Sequence, residues 1–346
     1  MAQVNIIHTA INRLIEGKHL SRAESKKVMT IIMKGEASEA QISAFLVALR
    51  MKGETVDEVI GAVDAMKSRA TRIKTKFKNI VDTCGTGGDS LNTFNISTAA
   101  ALVAAGAGVA VAKHGNRSVS SKCGSSDVLK ALGVNIDIPP EEMESCLYEL
   151  GIAFLFAPKL HTHMRYAMGP RREIGARTIF NILGPLTNPA HTKRQLIGVY
   201  DKHLLRLVVE VLQSLGAEQV MAVHGLEGMD EISLSGPTKV CELVDGTIYE
   251  YVIQPENFGI LSSPVQTIQT KNAFQNKKIL LNVLKGMPSP ALNIVLLNAG
   301  AAIKVSGKVD SIWDGIKYAR KSIESGAALE KLQKLKEFTN RELSKS

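Results

Sequence analysis

The stretch from Ile80 to Leu129 constrains this chain more than any other, because two short apolar runs each empty into a loop of glycine, hydroxyl and charge. Ile80 and Val81 read as a buried strand. The Gly85-Thr86-Gly87-Gly88-Asp89 that follows offers backbone able to reach φ > 0 and to approach a ligand with no Cβ in the way. Asn95, Ser97 and Thr98 stand just before an alanine-rich helical run, Ala99 to Ala105, so free N–H groups and the positive end of a helix dipole should face the same loop. The second run, Val109 to Ala112, delivers Lys113-His114-Gly115-Asn116-Arg117 and then Ser118, Ser120, Ser121, Ser125 and Ser126. Two adjacent strands thus present two anion-friendly loops at one edge, which is how a phosphate cradle is built. The first loop is not the dinucleotide fingerprint, lacking its third glycine and an acidic residue about twenty positions on. Nor is it a Walker loop, since no Gly-Lys-Ser/Thr is present and the lysine arrives only at Lys113.

At 346 residues the chain exceeds what one core usually fills, so a large domain plus a small one is expected. Hydrophobic residues at 45% and charged residues at 22% are those of a globular protein. The most apolar run, Ala99 to Ala112, is too short for a membrane span, and the N-terminus has no signal-like apolar core, so a cytoplasmic protein is expected. Cys84, Cys123, Cys146 and Cys241 form no CxxC or CxxH pair, which points to reduced packing residues rather than a zinc or redox motif. Charge is basic, +9, concentrated in Lys67 to Lys78 and in a lysine-rich final helix after Leu329. These runs carry no groove-reading motif, leaving steering of a small polyanion or a solvated face, not nucleic-acid binding.

The first seventy or so residues read as short amphipathic helices. Ile6, Ile7, Ala10 and Leu14 recur at helical spacing, Ser21 and Glu24 resemble a capping box, and Ile42, Phe45, Leu46 and Leu49 form a further stripe, continued by Val56, Val59, Ile60, Val63 and Met66. From Asn79 the pattern becomes strand, glycine loop, helix, as a doubly wound sheet requires. Further strands are expected at Val134 to Ile138, Ile152 to Phe156, Leu196 to Tyr200 and Val220 to His224, with a meander through Val240 to Ile253. Helices are expected over Glu141 to Leu150, Leu204 to Leu215, Ala273 to Leu284, Pro290 to Val305 and Trp313 to Ser325, and one opened by Pro170 within Met164 to Leu183. His161 and His163 have the spacing of metal ligands, but no cysteine or carboxylate stands beside them, so they read as surface or supporting histidines. The loop Gly225 to Glu231 carries the adjacent carboxylates Asp230 and Glu231 beyond a strand end, where an α/β sheet holds its ligands.

Taken together, GTGGD, NIST, KHGNRSVSS, RREIGARTIFNILGPLTNP (Arg171 to Pro189) and GMDE (Gly228 to Glu231) resemble the anthranilate phosphoribosyltransferases, from the N-terminal helices to beyond residue 300. The resemblance implies the nucleoside phosphorylase-like phosphoribosyltransferase fold, an α/β architecture with a small all-helical domain and a larger α/β domain around a mostly parallel central sheet. It implies a discontinuous helical domain, 1–72 rejoined by about 164–188, and an α/β domain of 73–163 and 189–346. It also implies transfer of a phosphoribosyl group from 5-phospho-α-D-ribose 1-diphosphate to anthranilate, a homodimer, no nucleic acid or membrane partner, and magnesium, two ions per subunit.

By the same resemblance the donor would be bound by Gly85, Gly88, Asp89, Thr93, Asn95, Ile96, Ser97, Thr98, Lys113, His114, Gly115, Asn116, Arg117, Ser118, Val119, Ser120, Ser121 and Ser125, with Lys113 and Asp89 catalytic. Anthranilate would meet Gly85, Asn116 and Arg171, and metal would meet Ser97, Asp230 and Glu231. The chemistry fits these residue types. Diphosphate needs hard cations held by carboxylate oxygens. Charge developing on a leaving diphosphate is stabilised by N–H groups, lysine and magnesium, with no protein nucleophile required. An arginine fork reads a carboxylate bidentately. Two departures from the family are visible: Ser90 stands where relatives often have glycine, and Thr162-His163-Met164 replaces a Pro-containing stretch at the acceptor entry. A pyrimidine nucleoside phosphorylase or a nucleic-acid-binding relative of the same fold are the competing readings. The former carries a serine-threonine-glycine run where this chain has His114 to Arg117 and lacks Asp230-Glu231, and a pure binder has no need of a magnesium-diphosphate site.

Overall fold

Capping boxes set the start of three successive N-terminal helices. The computed structural model describes residues 2–116 and 123–341, and side chains from Ile6 onward. Here α1 (Ala2–Ile15), α2 (Arg22–Lys34), α3 (Glu39–Lys52) and α4 (Val56–Lys67) form a helical layer. Ser21 with Glu24, Ser38 with Gln41 and Thr55 with Glu58 exchange side-chain and backbone bonds at the starts of α2, α3 and α4. Glu58 does more than cap. Fully buried, it accepts the Leu20 N–H at 2.9 Å and pairs with the Lys52 ammonium at 2.8 Å, so one carboxylate ties α4 to α3 and to the linker between α1 and α2. The stripes Ile7/Ala10/Leu14, Ile42/Phe45/Leu46/Leu49 and Val59/Ile60/Val63/Met66 are all buried, while Ile6 turns outward.

The larger domain runs β1 (Val81–Asp82), α5 (Ile96–Gly106), β2 (Val111–Gly115), α6 (Ser125–Ala131), α7 (Pro140–Leu150), β3 (Ile152–Phe156), α8 (Ala157–Leu160), α9 (Arg165–Ile174), α10 (Phe180–Leu186), β4 (Arg194–Gly198), α11 (Leu204–Ser214), β5 (Gln219–Gly225), β6 (Thr238–Val244), β7 (Thr247–Ile253), α12 (Ala273–Leu284), α13 (Pro290–Val305), α14 (Ile312–Glu324) and α15 (Ala327–Asn340). Its sheet has the order β3-β2-β1-β4-β5-β6-β7, parallel from β3 to β5 and antiparallel at the β6–β7 hairpin. Alternation along the strands sends neighbours to opposite cores. Leu196, Met221 and Val223 join the core built on α5 and α13, whereas Ile197, Val220 and Ala222 join the one shared with α11 and the helical layer. Helix α5 is buried from Ile96 to Ala105 apart from Ser97, as expected of a helix apolar on every side.

Chain direction matters most for function. From β1 the chain winds outward through β2 and β3, then returns to lay β4 on the other side of β1. Ligands bind at such a reversal, beyond the carboxyl ends of the strands.

Several expectations need correcting. Val134 to Ile138 is irregular, because its residues pack beneath α15 through Asn135 N–H to Thr339 without a strand partner. Lys113 and His114 belong to β2 itself, not to the loop after it, since β2 pairs with β3 as far as Gly115. Pro170 does not open a helix. It lies inside α9, which ends on left-handed Gly175, and a separate α10 follows, so Arg171 sits in the last turn of α9. Helix α9 packs on α2 and α3. Among the described residues no helix is long and apolar enough to cross a membrane.

Candidate active site

The glycine loop leaves β1 at the reversal point and is held there by three neighbouring elements. Thr86 N–H donates to the Gly198 carbonyl at the end of β4 at 2.8 Å, and Tyr200 N–H donates to Thr86 Oγ1 at 3.1 Å. Gly87 N–H donates to Asp230 Oδ2 at 2.7 Å. Arg177, from the segment between α9 and α10, donates to the Gly88 carbonyl and lies 4.2 Å from the centre of the Tyr200 ring. Gly87 and Gly88 take φ of 66° and 83°, and Ser90 and Asn92 follow at 60° and 55°. Ser90, the position where relatives often carry glycine, is therefore in a conformation glycine adopts more easily. Among the described residues nothing accepts the N–H of Gly88 or Asp89.

Lys113 reaches this loop from β2. Its Nζ, almost wholly buried, donates to the Thr83 carbonyl at 3.0 Å and to Ser97 Oγ at 3.1 Å, which places the ammonium at the N-terminus of α5. Thr98 Oγ1 in the same turn is buried without a partner. Asn95 does not cap α5 with its side chain, which donates instead to the Cys123 carbonyl at 3.0 Å, while its N–H is held by Asn276 Oδ1 at 3.1 Å. Thr93 bridges Gln269 in antiparallel fashion, so a strap from the distal chain flanks the loop.

Facing the loop, Asp230 and Glu231 come off the end of β5. A Cβ on Gly198 would sit 1.5 Å from the Asp230 carbonyl oxygen, so only glycine at the end of β4 lets this acidic turn close over the sheet edge. Glu231 Oε1 accepts the Ser97 N–H at 3.1 Å. Asn298, buried in α13, clamps the turn by accepting the Ile232 N–H at 2.9 Å and donating to its carbonyl at 3.0 Å. Burial pushes both carboxyls up, with Asp89 adding to the rise at Asp230 and Asp230 to that at Glu231. Three carboxylates at a helix N-terminus with Lys113 as their nearby cation have the hard-oxygen donor set and the unmet negative charge of a magnesium site.

Beneath the loop, buried Asp82 accepts Asn188 Nδ2 at 2.7 Å and His114 N–H at 3.1 Å, and burial lifts its carboxyl to about 6. Asp82, Cys84 and His114 each bring one donor atom within 4.8 Å of the others. Both Asp82 oxygens are already engaged and burial keeps the Cys84 thiol protonated, so the trio reads as packing beneath the site.

On the side toward the helical layer, the Arg171 guanidinium carbon lies 5.2 Å from the Phe180 ring centre, with Met168 Sδ at 4.0 Å and no carboxylate partner among the described residues. His114 Nδ1 donates to the Gly184 carbonyl at 3.0 Å, which leaves Nε2 as the acceptor, buried and unpartnered. His161, expected at the surface or in support, is buried with its ring centre 5.2 Å from that of His114. Burial pushes His114 down to about 3, helped by His161, and His161 down to about 4. The unfolded chain takes up these two protons below about pH 6.5, so from there to about pH 4 it binds more protons than the folded state and stability falls as pH falls, by up to about 1.4 kcal/mol per pH unit for each histidine. The urea midpoint should drop between about pH 7 and pH 5, and His161→Gln should flatten that slope; equal slopes in the two proteins would rule the pair out as its source.

The structure thus brings together Gly85, Gly88, Asp89, Ser97, Thr98, Lys113, His114, Asp230 and Glu231, with Thr93, Asn95, Ile96, Gly115, Asn116 and Ser125 around them. Ser125 Oγ donates to the Asn116 carbonyl at 3.3 Å, joining the start of α6 to the end of β2. Arg117, Ser118, Val119, Ser120 and Ser121 lie outside the described residues. Sequence reasoning missed Arg177, Gly198 and the buried amides Asn188, Asn276 and Asn298. An asparagine inside an otherwise apolar helix, as Asn298 is, was the available signal.

A separate cavity of about 320 Å³ opens at the amino ends of the strands, opposite the site, lined in part by Lys78, Lys308 and Lys331. Lys331 donates there to the carbonyl of Leu150 at the end of α7, a helix C-terminus, so it belongs to that helix end rather than to the chemistry above.

Comparison with known proteins agrees with this geometry. Family models described as the glycosyl transferase family helical bundle domain and a/b domain match residues 8–70 and 77–329. The anthranilate phosphoribosyltransferase of Petrotoga mobilis is 50% identical over 330 residues, 95% of this chain and 96% of that one, and that of Thioalkalivibrio sulfidiphilus is 52% identical over 95% of this chain and 98% of its own. The chain belongs to the anthranilate phosphoribosyltransferase family. Among solved structures, the Thermus thermophilus enzyme superposes with a TM-score of 0.91 at 39% identity, covering 96% of this chain and 99% of that one. The Saccharomyces cerevisiae enzyme in complex with PRPP and Mg gives 0.90 at 26% identity, over 97% of this chain and 98% of that one.

Proposed function

We propose that this chain transfers the phosphoribosyl group of 5-phospho-α-D-ribose 1-diphosphate to the amine of anthranilate, giving N-(5-phosphoribosyl)anthranilate and diphosphate, the second step of tryptophan synthesis from anthranilate. The observation that carries the reading is the convergence, at one sheet reversal, of unpartnered loop N–H groups, the Lys113 ammonium and the Asp89/Asp230/Glu231 carboxylates. Family membership supports it, and the two competing readings find no observation in their favour.

In this reading the N–H groups of Gly88 and Asp89, the first turn of α5 and Lys113 receive the donor's diphosphate. The bond between the anomeric carbon and diphosphate breaks, the amine nitrogen bonds to that carbon, and the electron pair leaves on diphosphate. Lys113 and the loop N–H groups stabilise the charge that develops there, held in place before reaction by Thr83 and Ser97. Asp230, Glu231 and Ser97 would hold magnesium, two ions per subunit, which when bound neutralises charge on the diphosphate. Asp89 lies within reach of the same charge. Arg171 receives the anthranilate carboxylate, with Gly85 and Asn116 bounding the ring, and the amine attacks as the neutral base, so no protein nucleophile is needed.

The helical domain of this reading is 1–72 completed by about 164–188, which the packing of α9 on α2 and α3 supports. The enzyme works in the cytoplasm as a homodimer. Ile15 in α1 and Met51 in α3, both in the helical layer, are 70% and 84% exposed, apolar side chains that a second copy would cover. Light scattering at micromolar concentration is expected to give about twice the 37.3 kDa of one chain, and a single-chain mass would refute the dimer. The function itself is tested by incubating purified protein with phosphoribosyl diphosphate, magnesium and a panel of aryl amines while following diphosphate release. Release that needs anthranilate and magnesium is the expected result.

A further inference from the structure

We propose that Arg177 is a positioning residue for the diphosphate loop: by holding the Gly88 carbonyl it turns the Asp89 N–H toward the donor site. This rests on the function proposed above, and it gives a role to a residue inside the Arg171 to Pro189 run for which the resemblance implied none. A trans peptide points its C=O and N–H in opposite directions. The carbonyl of Gly88 is claimed by the Arg177 guanidinium, so the N–H of the same peptide, that of Asp89, faces away from Arg177, and no described residue accepts it. Its neighbours are already committed. Thr86 N–H is bound to Gly198 and Gly87 N–H to Asp230, which leaves the Gly88–Asp89 peptide as the part of the loop whose orientation nothing else sets.

Glycine makes that contact necessary. At Gly88, φ of 83° is one of several conformations open to the residue, and a peptide flanked by glycine flips at little cost unless one end is tethered. Arg177 is suited to the task because its planar guanidinium stacks on Tyr200, whose own N–H donates to Thr86 Oγ1. Loop, arginine and tyrosine thus close a ring in which each member restrains the next. Arg177 forms no ion pair among the described residues, so no carboxylate competes for it. Its position adds a consequence. It lies six residues after Arg171, in the segment between α9 and α10, so the same stretch of chain carries both arginines.

The test compares wild type with Arg177→Ala and Arg177→Lys, with Arg172→Ala as the control for a neighbouring exposed arginine. Removing a hydrogen bond to a charged donor should raise the KM for phosphoribosyl diphosphate by roughly tenfold or more, while the KM for anthranilate changes by less than about threefold. Millimolar guanidinium should restore much of the loss in Arg177→Ala. Lysine, able to donate but not to stack in the same plane, should recover only part of it. Amide hydrogen exchange on the free proteins supplies an arm that does not depend on activity: peptides covering residues 85–92 should exchange faster in Arg177→Ala and unchanged in Arg172→Ala. Should wild type release no diphosphate, the proposed function fails and the exchange arm alone decides the role of Arg177. Unchanged exchange, or a KM effect confined to anthranilate, overturns the proposal.

Discussion

Replacing Asp230 by Asn and Glu231 by Gln in one chain is expected to reduce magnesium-dependent turnover by roughly a thousandfold or more while raising the melting temperature by about a few degrees. The two effects share one cause. Both carboxyls are pushed up by burial and by each other's company with Asp89, which means that the folded protein holds negative charge it would be more stable without. The amides keep the oxygens that accept Gly87 N–H and Ser97 N–H, so the acidic turn stays attached to the loop and to α5. What they remove is the charge that a divalent ion needs. Calorimetry with and without magnesium reads both halves: wild type should gain stability on adding the ion and the double variant should not. Near-normal turnover in the variant, or a lower melting temperature without magnesium, would overturn the assignment.

Arg171→Ala should weaken anthranilate selectively. Its guanidinium is half-buried against Phe180 with no carboxylate among the described residues, and burial disfavours its charged form, so it is a cation awaiting a counter-ion. Removing one member of a desolvated charge pair typically costs roughly 2–5 kcal/mol, some 30-fold or more in kcat/KM for the acceptor. The diphosphate loops lie on other elements and should be unaffected, with Arg172→Ala again as control. A rise in the KM for phosphoribosyl diphosphate with that for anthranilate spared would put Arg171 in the donor site. Steady-state kinetics with each substrate varied in turn makes the distinction.

Local chemistry made most of this site legible in advance. The glycine run, the hydroxyls at the head of α5 and the paired carboxylates each carry a property that does not depend on what surrounds them: access to positive φ, free N–H groups, hard oxygen. Apolar periodicity likewise located the N-terminal helices, and β3 at Ile152–Phe156 was readable from its run alone. Where the periodicity misled, packing had overruled it. Val134 to Ile138 has the composition of a strand, but it is irregular, and Asn135 and the preceding Gly133 are hydrogen-bonded to the end of α15. Proline at position 170 looked like a helix start because its ring is welcome in a first turn, yet α9 carries it in the interior and ends only at Gly175.

Residue type and spacing, then, were enough to locate the N-terminal helices, most of the strands and the glycine and carboxylate loops, and to point to the family. Tertiary structure decided everything that depends on residues far apart meeting. Asp230 reaches Gly87 across 143 positions, and Glu231 reaches Ser97 across 134, only because β4 returns beside β1 and Gly198 offers no Cβ to keep the acidic turn away. The same reversal lifts the carboxyls by burying them together, while the pairing of β2 with β3 sets His114 near His161 and the chain between α9 and α10 brings Arg177 to the Gly88 carbonyl. Spacing along the chain carries no information about these contacts, because each is set by the order of strands in the sheet, and that order is fixed by which faces can be buried together.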